Sequence, residues 1–209
     1  MLRHGLPSGE LCLAGAALTR WCLGFPAQAV QRSQEALALA QVLAHPPSVA
    51  HATYYAAYVH HRRREVPLVQ THAEALLVLA TAQELPFYVG IGTCWRGWAL
   101  AMQGQGEEGL ELLHQGRAAL LPLGQRLSQP LWLTLLAEAA RHTGQVEEGL
   151  HLLSEALGAF EATERGDLLS EVRSSVAEHY NSFRQYRYNV VAHIPLEQPD
   201  EAPDPVPAR

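Results

Sequence analysis

No stretch of this chain is apolar over anything near the ~18 residues that a bilayer-spanning helix needs. No segment alternates β-branched with polar residues, so no sheet is expected. Charge is scarce: only 17% of the 209 residues are Asp, Glu, Lys or Arg, while 48% are hydrophobic. The formal net charge of -6 argues against nucleic acid and acidic membranes as partners. Cysteine is also scarce. Cys12, Cys22 and Cys94 are odd in number and lack metal-ligand spacing, which points to packed thiols in a reducing compartment. The N-terminus imitates a signal peptide, with Arg3 before an apolar run from Leu11 to Leu18 and Ala27-Gln28-Ala29 as a cleavage-like site. Glu10 interrupts its approach and Arg20 ends it early, so a cytoplasmic location is expected.

What the chain has is a repeat. Gly104-Gln105-Gly106-Glu107-Glu108-Gly109-Leu110 returns forty residues later as Gly144-Gln145-Val146-Glu147-Glu148-Gly149-Leu150. The same step of forty joins Gly24, Arg64, Gly104 and Gly144, and it joins Ala17, Ala57, Gly97, Ala137 and Ala177. A fixed period of this length marks a stacked repeat protein, whose units cannot bury their apolar faces alone. Each unit reads as two helices. The expected pairs are Leu11–Leu23 with Ala27–Ala44, Val49–Arg63 with Val66–Glu84, Tyr88–Gln103 with Glu107–Leu123, and Pro130–Thr143 with Val146–Thr163.

Local chemistry supports these limits. Gly24, Gly104 and Gly144 fall where a helix must stop, and glycine takes a left-handed C-cap without a Cβ clash. Pro46-Pro47, Pro86 and Pro130 separate the units, because proline is excluded from a helix interior but tolerated in its first turn. Glu107-Glu108 and Glu147-Glu148 set negative charge on a helix N-terminus. The small residues Ala17, Ala57, Gly97 and Ala137 would let the two helices of each unit approach closely. After Asp167, a stripe of Leu169, Val172, Val176, Tyr180 and Phe183 predicts a capping helix to about Tyr186. The expected domains are a flexible N-terminus at 1–10, a helical repeat domain at 11–186 and a Pro-rich, acidic, disordered tail at 187–209.

The pattern of small residue, turn glycine, Glu-Glu-Gly and an Ala- and Leu-rich helix resembles the tetratricopeptide (TPR) repeat, in a forty-residue variant. Gln31-Arg32-Ser33-Gln34-Glu35-Ala36-Leu37 and Arg96-Gly97-Trp98-Ala99-Leu100 carry the likeness beside the turn motif. The stretch from about Leu11 to Glu164 is similar to the repeat region of large bacterial signalling proteins, where such repeats follow a regulatory ATPase domain and accompany a nucleotide-cyclase or DNA-binding domain. The resemblance implies an all-α, right-handed superhelix of about four helical pairs plus a capping helix. It implies a regulatory scaffold that binds a protein or peptide in a concave groove, with an ATPase or cyclase domain of the same pathway among its partners. Two alternatives stand beside it: a fragment of a larger ATPase-cyclase regulator, and a small-molecule sensor. No P-loop, cyclase or DNA-binding segment is present in this sequence.

Chemical motifs are thin. Gly104-Gln105-Gly106-Glu107-Glu108-Gly109 spells the dinucleotide fingerprint, but a helix precedes it and two glutamates would face the phosphates, so it is read as a turn. His60-His61-Arg62-Arg63-Arg64 suits a helix C-terminus. None of the eleven histidines has zinc-ligand spacing. No nucleophile sits with a base, so no catalytic, cofactor or metal residue is assigned and an enzyme is not expected. The groove is the candidate site. Counted round the first helices, Tyr54, Tyr58, His61, Arg62, Trp98, Glu138, Arg141 and His142 fall on the concave side. Exposed aromatic and arginine residues are what interface hot spots are made of.

Overall fold

A computed structural model describes residues 8–124 and 128–161. They form eight α-helices in four antiparallel hairpins: α1 (Ser8–Cys22) with α2 (Pro26–Leu43), α3 (Pro46–Arg62) with α4 (Val66–Ala82), α5 (Pro86–Met102) with α6 (Gly106–Leu120), and α7 (Gln129–His142) with α8 (Val146–Glu161). A short 3-10 turn, Leu121–Leu123, follows α6. No strand occurs among the described residues. Each helix packs on the next in order, and the first helices also touch in series, α1 on α3, α3 on α5 and α5 on α7. The result is a right-handed superhelix of TPR-like hairpins. The capping helix, the acidic tail and most of the expected N-terminal segment lie outside the described residues.

The turns recur at half the expected period. Gly24, Ala44, Arg64, Glu84, Gly104, Gly124 and Gly144 all have positive φ, from 49° to 91°, at intervals of twenty residues. The forty-residue spacing showed the turn inside each hairpin, at Gly24, Arg64, Gly104 and Gly144, and missed those between, at Ala44, Glu84 and Gly124, of which only the last is glycine. Five turns close alike: the third turn residue donates its N–H five residues back, as in Phe25 to Arg20, Glu65 to His60, Leu85 to Ala80, Gln105 to Leu100 and Gln145 to Ala140, at 2.8–3.0 Å. These bonds satisfy carbonyls that a helix end leaves open. The prolines sit inside the first turns of α2, α3, α4, α5 and α7, where the missing N–H costs nothing. Several helices therefore start earlier than the sequence reading placed them.

The small-residue series governs packing as expected. Ala17, Ala57 and Ala137 are fully buried. A Cβ on Gly97 would lie 2.7 Å from the Gly109 carbonyl oxygen and 2.8 Å from the Leu113 nitrogen. A Cβ on Gly116 would meet Cys94 Sγ at 2.5 Å and the Gly90 carbonyl oxygen at 2.8 Å. Two glycine crossings thus bring α5 and α6 almost backbone to backbone. The large side chains concentrate beyond them: Trp95, Trp98, Trp132, Leu113, Leu120, Leu133, Leu135, Leu136 and Leu153 are fully buried. Around the first hairpin the core is made of Ala14, Ala17, Ala29, Ala36 and Ala40, joined by Ala52 and Val59 of α3. There a buried carboxylate, Glu10, ties α1 to α3 through His51 Nδ1 at 2.8 Å.

Candidate functional site

The first helices bring one polar cluster together across three hairpins. Glu138 on α7 is 0% exposed. Its Oε2 accepts a 2.8 Å hydrogen bond from the Trp98 indole nitrogen on α5 and lies 3.6 Å from His61 Nε2 on α3. Its Oε1 pairs with the Arg64 guanidinium from the α3–α4 turn. Aromatic rings wall the carboxylate. His61 stands edge-on to Trp98 with centroids 4.6 Å apart, and Trp95 contacts Tyr58, His61 and Trp132 at 5.0–6.0 Å. A buried carboxylate persists only where donors replace its water, and here the donors come from the two hairpins that precede its own. The cluster therefore fixes how the units stack.

The eight residues singled out from the sequence divide into two groups. Tyr58, His61, Trp98 and Glu138 were expected as exposed anchors, and the fold buries them at 6%, 2%, 0% and 0% exposure. The cause is the close stacking of α3, α5 and α7, which spends these side chains on one another. Tyr54, Arg62 and Arg141 are half-buried, and His142 is exposed. Arg62 reaches back over the Trp21 ring of α1, 5.8 Å from its centroid. Tyr54 packs on Tyr55 at 4.8 Å, and burial holds its phenol well above the ordinary range.

A cationic edge remains in contact with water. Arg141 and His142 end α7, with an Arg141 guanidinium nitrogen 3.5 Å from His142 Nε2. The Arg64 side chain is 54% exposed while it holds Glu138. His142 is pushed below the ordinary histidine pKa, by partial burial first and then by the charges of Arg141 and Arg64. Two guanidinium groups from two hairpins thus act on one spot, beside a histidine they hold toward its neutral form, in a chain whose net charge is -6. Arg64 was expected as a turn residue closing a basic helix C-terminus, and not as part of the site. Its signal was an arginine standing where the other units carry glycine. Trp95 and Trp132 were not singled out either, because an aromatic in an apolar helix gives no sign of which neighbour it meets.

Chemistry of other kinds is sparse in this region. Burial pushes the Cys94 thiol far above its usual pKa, so it is held protonated. Among the described residues no group of three or more His, Cys, Asp or Glu could hold a metal ion. No described helix is long and apolar enough to cross a membrane.

The fold has solved counterparts. A protein of nearly identical TPR-like repeats from Podosopora anserina, named for kinesin light chain, superposes with a TM-score of 0.55 at 20% identity, covering 91% of this chain and 94% of that one. BtubC (BKLC) from P. vanneervenii superposes with a TM-score of 0.54 at 14% identity, covering 94% of this chain and 86% of that one. No protein-family model matches the sequence. No curated protein is similar to it in sequence. The class is therefore that of TPR-like helical repeats, established by fold.

Proposed function

We propose that this protein is a non-enzymatic, cytoplasmic interaction scaffold whose cationic edge takes an acidic segment or a chain-terminal carboxylate of a partner protein. The observation that carries the reading is the convergence of Arg64, Arg141 and His142 at one end of the first helices. Tyr54 and Arg62 extend the half-buried surface along α3, while Tyr58, His61, Trp98 and Glu138 form its floor. Rigid aromatics beneath arginines favour binding because little freedom is lost when a partner lands. A helical-repeat stack presents such a surface across several units at once. An ATPase or cyclase domain of the same pathway is the partner class that the sequence resemblance implies, and no cofactor is needed for this role.

The test is fluorescence anisotropy with a peptide panel that varies acidic content and carries either a free or an amidated C-terminus. Acidic, free-carboxyl peptides should bind, and added salt should weaken them because the edge is open to water. Arg141→Ala and His142→Ala should weaken binding with folding intact, Arg141→Ala by ~2 kcal/mol if it acts as an anchor. Equal binding of neutral, amidated peptides would sink the reading. So would indifference to both substitutions.

A further inference from the structure

Charge is sorted along the sequence. The chain contains no lysine, so all 15 of its cationic side chains are arginines, whose planar forks can pair a carboxylate through two hydrogen bonds. Residues 162–187 balance their carboxylates with arginines, four of each. Between Arg187 and Arg209 stand Glu197, Asp200, Glu201 and Asp204, with no arginine among them. Pro195, Pro199 and Pro203 space these carboxylates, a composition that disfavours a helix.

The fold puts the cationic edge within reach of that segment. The edge lies where α7 ends, with Arg141 and His142 beside Arg64. From there α8 runs back antiparallel for 16 residues, or ~24 Å, to Glu161. Residues 162–196 separate Glu161 from Glu197, and at up to ~3.3 Å each they span far more than the return distance. The forty-residue step that carries Ala137 to Ala177 also carries Arg141 and His142 to Asn181 and Ser182, so the acidic segment follows that level of the array along the chain. The carboxylates close to the edge have other tasks. Glu138 holds Arg64 from inside the fold and leaves 54% of that side chain exposed. Glu65 pairs with Arg63 and His60. Glu147 and Glu148 complement the N-terminus of α8.

We propose that the segment Glu197–Asp204 is an internal ligand of the cationic edge, one that an acidic partner must displace. This rests on the reading of the edge given above and adds its regulation. Opposite charge selects the segment, and tethering gives it an effective concentration on the order of millimolar, so a weak contact suffices to compete. A modification or partner that removes the segment would open the edge without any change in the helices.

The experiment keeps the full chain and neutralises the segment in place: Glu197→Gln, Asp200→Asn, Glu201→Gln and Asp204→Asn together. The probe is a fluorescein-labelled peptide of residues 195–206, followed by anisotropy. It should bind the neutralised chain about threefold or more tighter than the wild type, because the tethered competitor is gone. The difference should shrink as salt is raised. Arg141→Ala in the neutralised chain should weaken the probe, and a probe carrying the same four neutral residues should not bind. Equal binding to both chains, still dependent on Arg141, overturns the internal ligand and leaves the edge reading standing. Failure of this probe to bind the neutralised chain, while acidic free-carboxyl peptides do bind, overturns it in the same way. Failure of every acidic peptide on both chains overturns the edge reading and this proposal together.

Discussion

Gly97 sets the distance between α5 and α6, and a single methyl group tests that statement. Gly97→Ala should raise helix propensity yet lower stability by ~1–3 kcal/mol, because the new Cβ meets backbone atoms that cannot turn aside. Gly106→Ala is the instructive contrast. The sequence makes it look harmless, since Val146 stands at the matching place. In the fold a Cβ there would overlap the Thr143 methyl in the next hairpin's turn. That obstacle is a side-chain end, so Gly106→Ala should cost measurably less than Gly97→Ala in chemical denaturation, but not nothing. The spacing of small residues was legible in the sequence; what each one faces was not, because facing depends on a different helix, the partner in the same hairpin for Gly97 and the next hairpin's turn for Gly106. Glu138 teaches the same lesson. In sequence it is a lone carboxylate in an apolar helix, and it reads as a groove residue. In the fold it is the acceptor for Trp98 and Arg64. Glu138→Ala should destabilise by ~1–3 kcal/mol, the cost of leaving a buried indole N–H without an acceptor, while Arg64 can turn to solvent. Equal melting of Glu138→Ala and wild type would show that the cluster does not hold the hairpins in register.

At the scale of the element, the turns separate two uses of the left-handed conformation. Glu84 takes it at φ 52° and Arg64 at φ 61°, both without glycine's freedom. For L residues this conformation costs ~1–2 kcal/mol. Glu84 is exposed, so Glu84→Gly should stabilise by up to ~1 kcal/mol. Arg64→Gly relieves the same strain but removes the Glu138 partner, so its gain should be smaller or reversed. Thermal melts of the pair decide whether Arg64 is retained for the ion pair. The α3–α4 hairpin also contributes to acid sensitivity. His72 is held down to about 4 from 6.5, by burial first and then by His60, whose ring stacks on it at 5.3 Å. The unfolded chain takes up this proton near 6.5 and the folded one only near 4. Stability must therefore fall as pH drops through that window. Glu65 acts lower down: Arg63 foremost, then His60, hold its carboxylate at about 2 rather than 4.5, so its contribution disappears between those values. His72→Gln should flatten the upper part of the pH–stability curve and leave the lower part in place. The helices and their order could be read from periodicity, but this titration could not. It depends on two histidines from facing helices meeting ring to ring.

Across the whole molecule the apolar mass is uneven, and that should order the way the array opens. The first hairpin is joined to the second through alanines, Val59, the partly buried Leu37, Val49, Tyr55 and Trp21, and the Glu10–His51 pair, with no large side chain but Val59 fully buried. The third and fourth are joined through three fully buried tryptophans, a set of leucines and the Glu138 cluster. Burying a large side chain stabilises by ~1.5–3 kcal/mol, far more than alanine can supply. In a repeat array stability is close to a sum of unit and interface terms, so the weak interface opens first. Hydrogen exchange read by mass spectrometry at low protein concentration should show α1 and α2 exchanging well before α5, α6 and α7. Uniform protection across all four hairpins would mean that the array opens as one unit and that the core's unevenness has no thermodynamic consequence.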